Sequence, residues 1–269
     1  MPTTMKIQIL AQTLFLAPLA AGHGAVTSYI IGGVNYPGYD GLPDGLPTEV
    51  TEARPDTIQF PWENYHPTFD VTDPRMRCNG GTSAQLSAPA KAGENVTAVW
   101  RQWTHQQGPV MVWLFKCPGP FGQCSGEGKG WFKIDQMGMW GTVLMSNNWA
   151  TALVKQKLEW SSVIPKNLAP GNYLIRHELL SLHQKAKAQF YAECAQIVVS
   201  GDGAAVPPDE FLYSIPTYAP QSDPSIAVSA FQLSHLVHMK ANSKQIDIFI
   251  SKETSYTCPG GPIWTGFSF

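Results

Sequence analysis

Short strand-like runs separated by clusters of Gly, Pro, Asn and Asp leave this chain few architectures to adopt. Residues 96–103 alternate in the manner of a half-buried strand, and residues 110–115 form a continuous apolar run suited to a strand covered on both faces. Residues 23–33 read as a strand ended by Gly32-Gly33, and 173–180 and 189–200 as two more. Residues 165–172 are a turn, 126–138 a turning segment through Trp131-Phe132-Lys133-Ile134, and 147–158 a short helix. Residues 35–77 carry many Pro, Gly and Asp with little periodicity, which predicts a long ordered loop that bears binding surface. The expected fold is all-β: an immunoglobulin-like or fibronectin-like antiparallel β-sandwich with long loops and short helices. There is no internal repeat or low-complexity linker, so residues 23–269 are expected to form one domain.

With 43% hydrophobic and 14% charged residues and a net charge of −2, nothing points to electrostatic capture of nucleic acid or of an anionic membrane. Beyond the N-terminus no apolar run reaches the roughly 18 residues of a membrane span. Residues 1–22 read as a secretory leader: Lys6 precedes a mostly apolar stretch, and Ala20 and Gly22 fit positions three and one before a cut. The mature, extracellular chain would then begin at His23. Secretion favours disulfides among the five cysteines. Cys117 and Cys124 can staple their own loop. Cys78 and Cys194 can close a long one, contributing about 4–5 kcal/mol on a chain-entropy view. Cys258 is then left over. Asn95-Val96-Thr97 is a glycosylation sequon, placed at Asn95.

A first-residue histidine carries two nitrogens, the free α-amine and the imidazole, and together these can chelate a metal as no internal histidine can. His105 lies in the turn between two expected strands, where a sandwich edge can bring it to the N-terminus. It can equally be a loop histidine bonded to a backbone carbonyl. The amine and ring of His23 with the ring of His105 would make a T of three nitrogens. That set suits Cu(II), which prefers tetragonal nitrogen ligation. Zinc more often takes a fourth strong ligand. Gln189 and Tyr191 share a strand face, with His183 just upstream. The phenol can stand in an axial position with His183 and Gln189 behind it, or Tyr191 and Gln189 can simply satisfy one another.

Taken with Arg77-Cys78-Asn79, Trp103-Thr104-His105-Gln106-Gln107-Gly108-Pro109, Gly130-Trp131-Phe132-Lys133-Ile134, Ile164-Pro165-Lys166-Asn167-Leu168, Arg176-His177-Glu178 and Gln189-Phe190-Tyr191-Ala192-Glu193-Cys194, the chain resembles the fungal lytic polysaccharide monooxygenases of auxiliary activity family nine. The resemblance covers most of the mature chain. It implies a histidine brace in which His23 and His105 bind one copper ion, cycling between Cu(II) and Cu(I). It implies Tyr191 as axial ligand and His183 and Gln189 as catalytic hydrogen-bonding partners of oxygen species. Cys78–Cys194 would match the family's long disulfide. The implied reaction is oxidative cleavage of cellulose or a related β-1,4-glucan at C1 or C4, by a monomer fed by O2 or H2O2 and an external electron donor, a small reductant or a secreted dehydrogenase. Tyr39 and Tyr256 are candidates to dock the sugar. The alternative is a secreted non-catalytic copper- or glucan-binding protein with the same brace. No carbohydrate-binding module is expected.

One stretch departs from the family pattern. Residues 228–245 interrupt the C-terminal portion, between Asp223-Pro224-Ser225-Ile226-Ala227 and Ile246-Asp247-Ile248-Phe249. Val228-Ser229 can be encoded by GTAAGT, a splice donor; Ala241-Asn242 by GCTAAC, a branch point; and Gln245 by CAG, an acceptor. The segment reads as a retained intron, with a genuine loop insertion as the alternative, and His235 and His238 are not read as ligands.

Overall fold

The computed structural model describes residues 23–39, 57–62, 65–141, 147–184, 187–227, 236–239, 246–249 and 255–267. The leader expected at 1–22 and most of 228–245 lie outside the described residues. Two sheets face each other. The smaller has the order β2 (Val34–Pro37), β1 (Val26–Ile31), β4 (Asn95–Trp100), β7 (Glu159–Val163). The larger runs β10 (Tyr213–Ser214), β6 (Lys129–Met137), β5 (Val110–Lys116), β8 (Gly171–Ser181), β9 (Gln189–Ser200), β3 (Ala88–Lys91). The β3–β9 pair is parallel; the other pairs in both sheets are antiparallel. This is the expected sandwich.

The apolar patterns follow from position in the layers. β4 alternates, sending Val96, Ala98 and Trp100 inward, because its other face looks outward. β5 is apolar throughout because it is central in the larger sheet and covered on both sides. Val110, Val112 and Leu114 enter the core between the sheets, while Met111, Trp113 and Phe115 enter a second core under the loops. Each such fully buried side chain contributes roughly 1.5–3 kcal/mol. In that second core Arg176 of β8 is wholly buried. It pairs with Glu178 at 2.6 Å and donates to the carbonyls of Met76 and Arg77. The Tyr218 hydroxyl closes the group on Glu178 at 2.8 Å. The disulfide loop is thereby tied to the sheet twice, by this cluster and by Cys78–Cys194, whose S–S bond links residues 116 apart. Cys117 and Cys124 are also joined, and Cys258 is a free buried thiol.

Two readings of the sequence need correction, and two short strands went unread. The segment expected to turn at 126–138 is in fact the nine-residue strand β6. Lys133 in its middle disguised it: that side chain is buried over the Trp113 ring, its ammonium donating to Gln136 Oε1, Pro259 O and Gly261 O at 2.6–2.9 Å. The loop expected at 35–77 begins as strand β2, and the short strands β3 and β7 had no clear alternation to announce them. The helix is α1 (Ala150–Lys157), ended by Leu158 at φ 56°. β11 (Leu236–Met239) and β12 (Ile246–Phe249) pair with each other in a separate two-stranded sheet. Among the described residues no helix is long and apolar enough to cross a membrane.

Candidate metal centre

One end of the sandwich gathers the first residue of β1's lead-in, the β4–β5 turn and the facing ends of β8 and β9. His23 is held by its carbonyl, which accepts from Gln102 Nε2 at 2.6 Å. The chain there passes so near its neighbour that a Cβ on Gly24 would stand 1.8 Å from the Gln102 carbonyl oxygen. The turn carrying His105 is pressed onto β8 in the same way. At Gly108, with φ 147°, a Cβ would lie 1.7 Å from Leu180 O. Glycine is needed at both points, on steric grounds at each and on backbone grounds at the second.

The rings of His23 and His105 lie 6.0 Å apart between centroids, and each lies 5.9–6.0 Å from Tyr191. The Tyr191 phenol oxygen is 3.3 Å from His105 Nε2 and donates to Gln189 Oε1 at 2.7 Å. Tyr191 and Gln189 thus satisfy each other while both face the histidines. His183 stacks on His105 at 4.0 Å and 11°, with its Nδ1 2.6 Å from Ser181 Oγ. Trp103, itself buried, stands edge-on to both His105 and Tyr191 and backs them.

The electrostatics favour uncharged imidazoles. Burial, then the neighbouring His183 and His23, then Lys155, push the His105 ring down to about 3. Burial lowers His23, with His66 and His183 adding to the effect, and burial lowers His183. Burial raises the Tyr191 phenol, helped by Glu193, so it keeps its proton. Neutral imidazoles present lone pairs, which is the state a metal requires. Among the described residues no three His, Cys, Asp or Glu side chains form a ready cage for an ion. His23 and His105 supply two ring nitrogens, and the third comes from the backbone amine only if His23 is the first residue. The donor set therefore fits a copper brace better than a closed zinc cage.

All five residues expected at the centre are brought together. Of the two expected sugar-docking tyrosines, one is buried and the other half-buried, with its hydroxyl taken. Tyr39 is fully buried with Trp62 and Tyr65. Tyr256 gives its hydroxyl to Ser225 O at 2.9 Å and its ring to Trp149. Sequence reading missed His66, which is exposed and edge-on to His23 at 5.5 Å. It also missed Phe69, 42% exposed, with Lys187 over its ring at 4.5 Å. Both arrive because Thr68 exchanges two backbone hydrogen bonds with Phe190, laying their loop against β9. No motif marked that pairing.

The class that fold and site define is a β-sandwich, mostly antiparallel, with neutral imidazoles and a phenol collected at one end, a donor set that suits a metal. The sequence profile of auxiliary activity family 9, formerly glycoside hydrolase family 61, matches residues 23–237. The lytic polysaccharide monooxygenase D of Thermothelomyces thermophilus is 50% identical over 226 residues, 81% of this chain and 86% of that one. The lytic polysaccharide monooxygenase B of Heterobasidion irregulare is 38% identical over 265 residues, covering 97% and 99%. A crystal structure of a cellulose-active polysaccharide monooxygenase from M. thermophila superposes with a TM-score of 0.76 at 45% identity, covering 91% of this chain and all of that one. The chain belongs to auxiliary activity family 9 and is a lytic polysaccharide monooxygenase, an enzyme of oxidative polysaccharide cleavage.

Proposed function

We propose that the protein is secreted, is cut after Gly22, and oxidises cellulose or a closely related β-1,4-glucan at C1 or C4 with one copper ion at His23 and His105. The convergence of two neutral histidine rings with the Tyr191 phenol at an exposed end carries this reading. Bound copper would supply the one-electron chemistry that activates O2 or H2O2, drawing electrons from an external donor. His23 and His105 would hold it through their rings, His23 also through its amine. The buried, protonated Tyr191 would stand beside the bound ion without adding negative charge. Gln189 fixes the phenol proton, and Ser181 fixes the ring of His183, which covers His105 on its other side. His183 and Gln189 would hold or pass a proton beside the bound ion, a role that these contacts support. A protein that only bound metal or glucan has little need of that pair. His66, exposed and edge-on to His23, is a group next to the centre that would meet a sugar chain. An open end rather than a deep cleft suits action on a crystal face, as does the cellulose activity of the M. thermophila relative.

The test is mass spectrometry of products released from cellulose by the processed, copper-loaded protein with a reductant and H2O2. Aldonic or C4-oxidised ends are expected. Their absence, with copper bound, would overturn the reading for cellulose as the substrate.

A further inference from the structure

Glu193 stands where a carboxyl is costly: it is 2% exposed, in the layer between the two sheets, directly opposite His177 on β8. It is two residues beyond Tyr191 on the same strand, so both side chains face the core. Its carboxyl accepts from the Val26 backbone N–H and from the side chain of Asn79, the neighbour of the disulfide residue Cys78. Val26 opens β1, three residues after His23. Its other backbone group is also taken by a side chain, since Gln59 Nε2 donates to Val26 O at 2.8 Å. The register of β1 against β4 shifts between Val26 and Ser28, so the first strand residue does not rely on regular ladder bonding alone.

A chain beginning at His23 has only two residues between its free end and Val26, and chain ends fray unless tied down. Gln102 holds the His23 carbonyl from the β4 side. The bond from Glu193 is a direct tie to β9, the strand that supplies Tyr191, where Gln59 reaches that strand only through its own bridge to Ala195. We propose that Glu193 is a positioning residue: by holding the Val26 amide it sets the place of His23 relative to Tyr191 and so the geometry of the metal centre. An apolar residue would pack the same layer without the cost of burying a carboxyl. The amide side chain of glutamine, equal in length, reproduces the acceptor oxygen that meets the Val26 N–H. Above it the other carboxyl oxygen, Oε2, and both His177 nitrogens find no protein partner, as does the Tyr29 hydroxyl. The pair is therefore not a salt bridge holding the sheets, and what it does for the site runs through Val26.

The inference rests on the copper reading, and its test separates the two. Protein processed to begin at His23 is titrated with Cu(II), and its paramagnetic resonance spectrum is recorded for the wild type, Glu193→Gln and Glu193→Leu, alongside melting of the metal-free proteins. Glu193→Gln is expected to keep the wild-type spectrum and affinity. Glu193→Leu is expected to change the copper hyperfine coupling and weaken binding at least tenfold while the metal-free protein still melts cooperatively. A folded Leu variant with wild-type spectrum and affinity overturns the proposal, as does a Gln variant that behaves like Leu. Amide exchange at Val26 in the wild type reads the same bond if the Leu variant does not fold. Slow exchange is expected there, and exchange at the rate of an open chain end would overturn the proposal. A wild type that binds no copper would instead overturn the copper reading itself.

Discussion

At the scale of single residues, the site is built by close approach as much as by its ligands. Gly24 leaves room for the Gln102 carbonyl, and a Cβ there would force the His23 backbone away from the turn that carries His105. Gly24→Ala is expected to weaken copper binding at least tenfold, about 1.4 kcal/mol, with a smaller effect on melting; titration calorimetry beside a melting curve checks the split. The residues that meet at the site were legible in sequence because each lies in a local pattern: the leader-like stretch before His23, a strand–turn–strand around His105, and period-two spacing of Gln189 and Tyr191. The aromatic residues were not. Tyr39 and Tyr256 were picked by type, and type does not say which way a ring points. One lies under Trp62 and the other against Trp149. His66 was passed over for the converse reason, since only the long-range pairing of Thr68 with Phe190 brings it to His23.

Between elements, β8 and β9 hold His177 opposite Glu193 in the buried layer of the sandwich. Burial, aided by Arg176, pushes His177 down to about 3, and burial pushes Glu193 up to about 8, so both are neutral in the folded protein. The signs are opposite. From pH 6.5 down to about 3 the unfolded chain binds the extra proton at His177, so stability falls with acid. From about pH 4.5 up to 8 the folded chain holds the extra proton at Glu193, so stability falls with alkali. Each slope is at most about 1.4 kcal/mol per pH unit. Together they cancel between about 4.5 and 6.5, where the pair's contribution should be greatest. Denaturant unfolding from pH 3 to 9 tests this, and His177→Leu should flatten the acid limb and extend the alkaline one down to about pH 4.5. The strands bearing this pair were read correctly because their apolar runs are long. β6 was not, because a single lysine satisfied by two carbonyls and an amide looks, in sequence, like surface.

For the whole molecule, the sandwich separates its two ends. Asn95 is the exposed first residue of β4 and His105 follows that strand's other end, so a glycan at the sequon would stand away from the metal centre. The two-stranded unit β11–β12 is hydrogen-bonded to neither sheet. On the reading that residues 228–245 derive from a retained intron, a protein lacking them is expected to bind copper equally and to melt no lower. Loss of folding on that deletion would establish the insertion as part of the domain. The central claim joins processing to chemistry, because the third nitrogen does not exist until His23 is the first residue. The most direct measurement is calorimetric titration of Cu(II) into two metal-free proteins, one beginning at His23 and one carrying a single extra alanine before it. The account predicts tight one-to-one binding by the first and a loss of at least a hundredfold in the second, about 2.7 kcal/mol. Equal affinity in the two would contradict it.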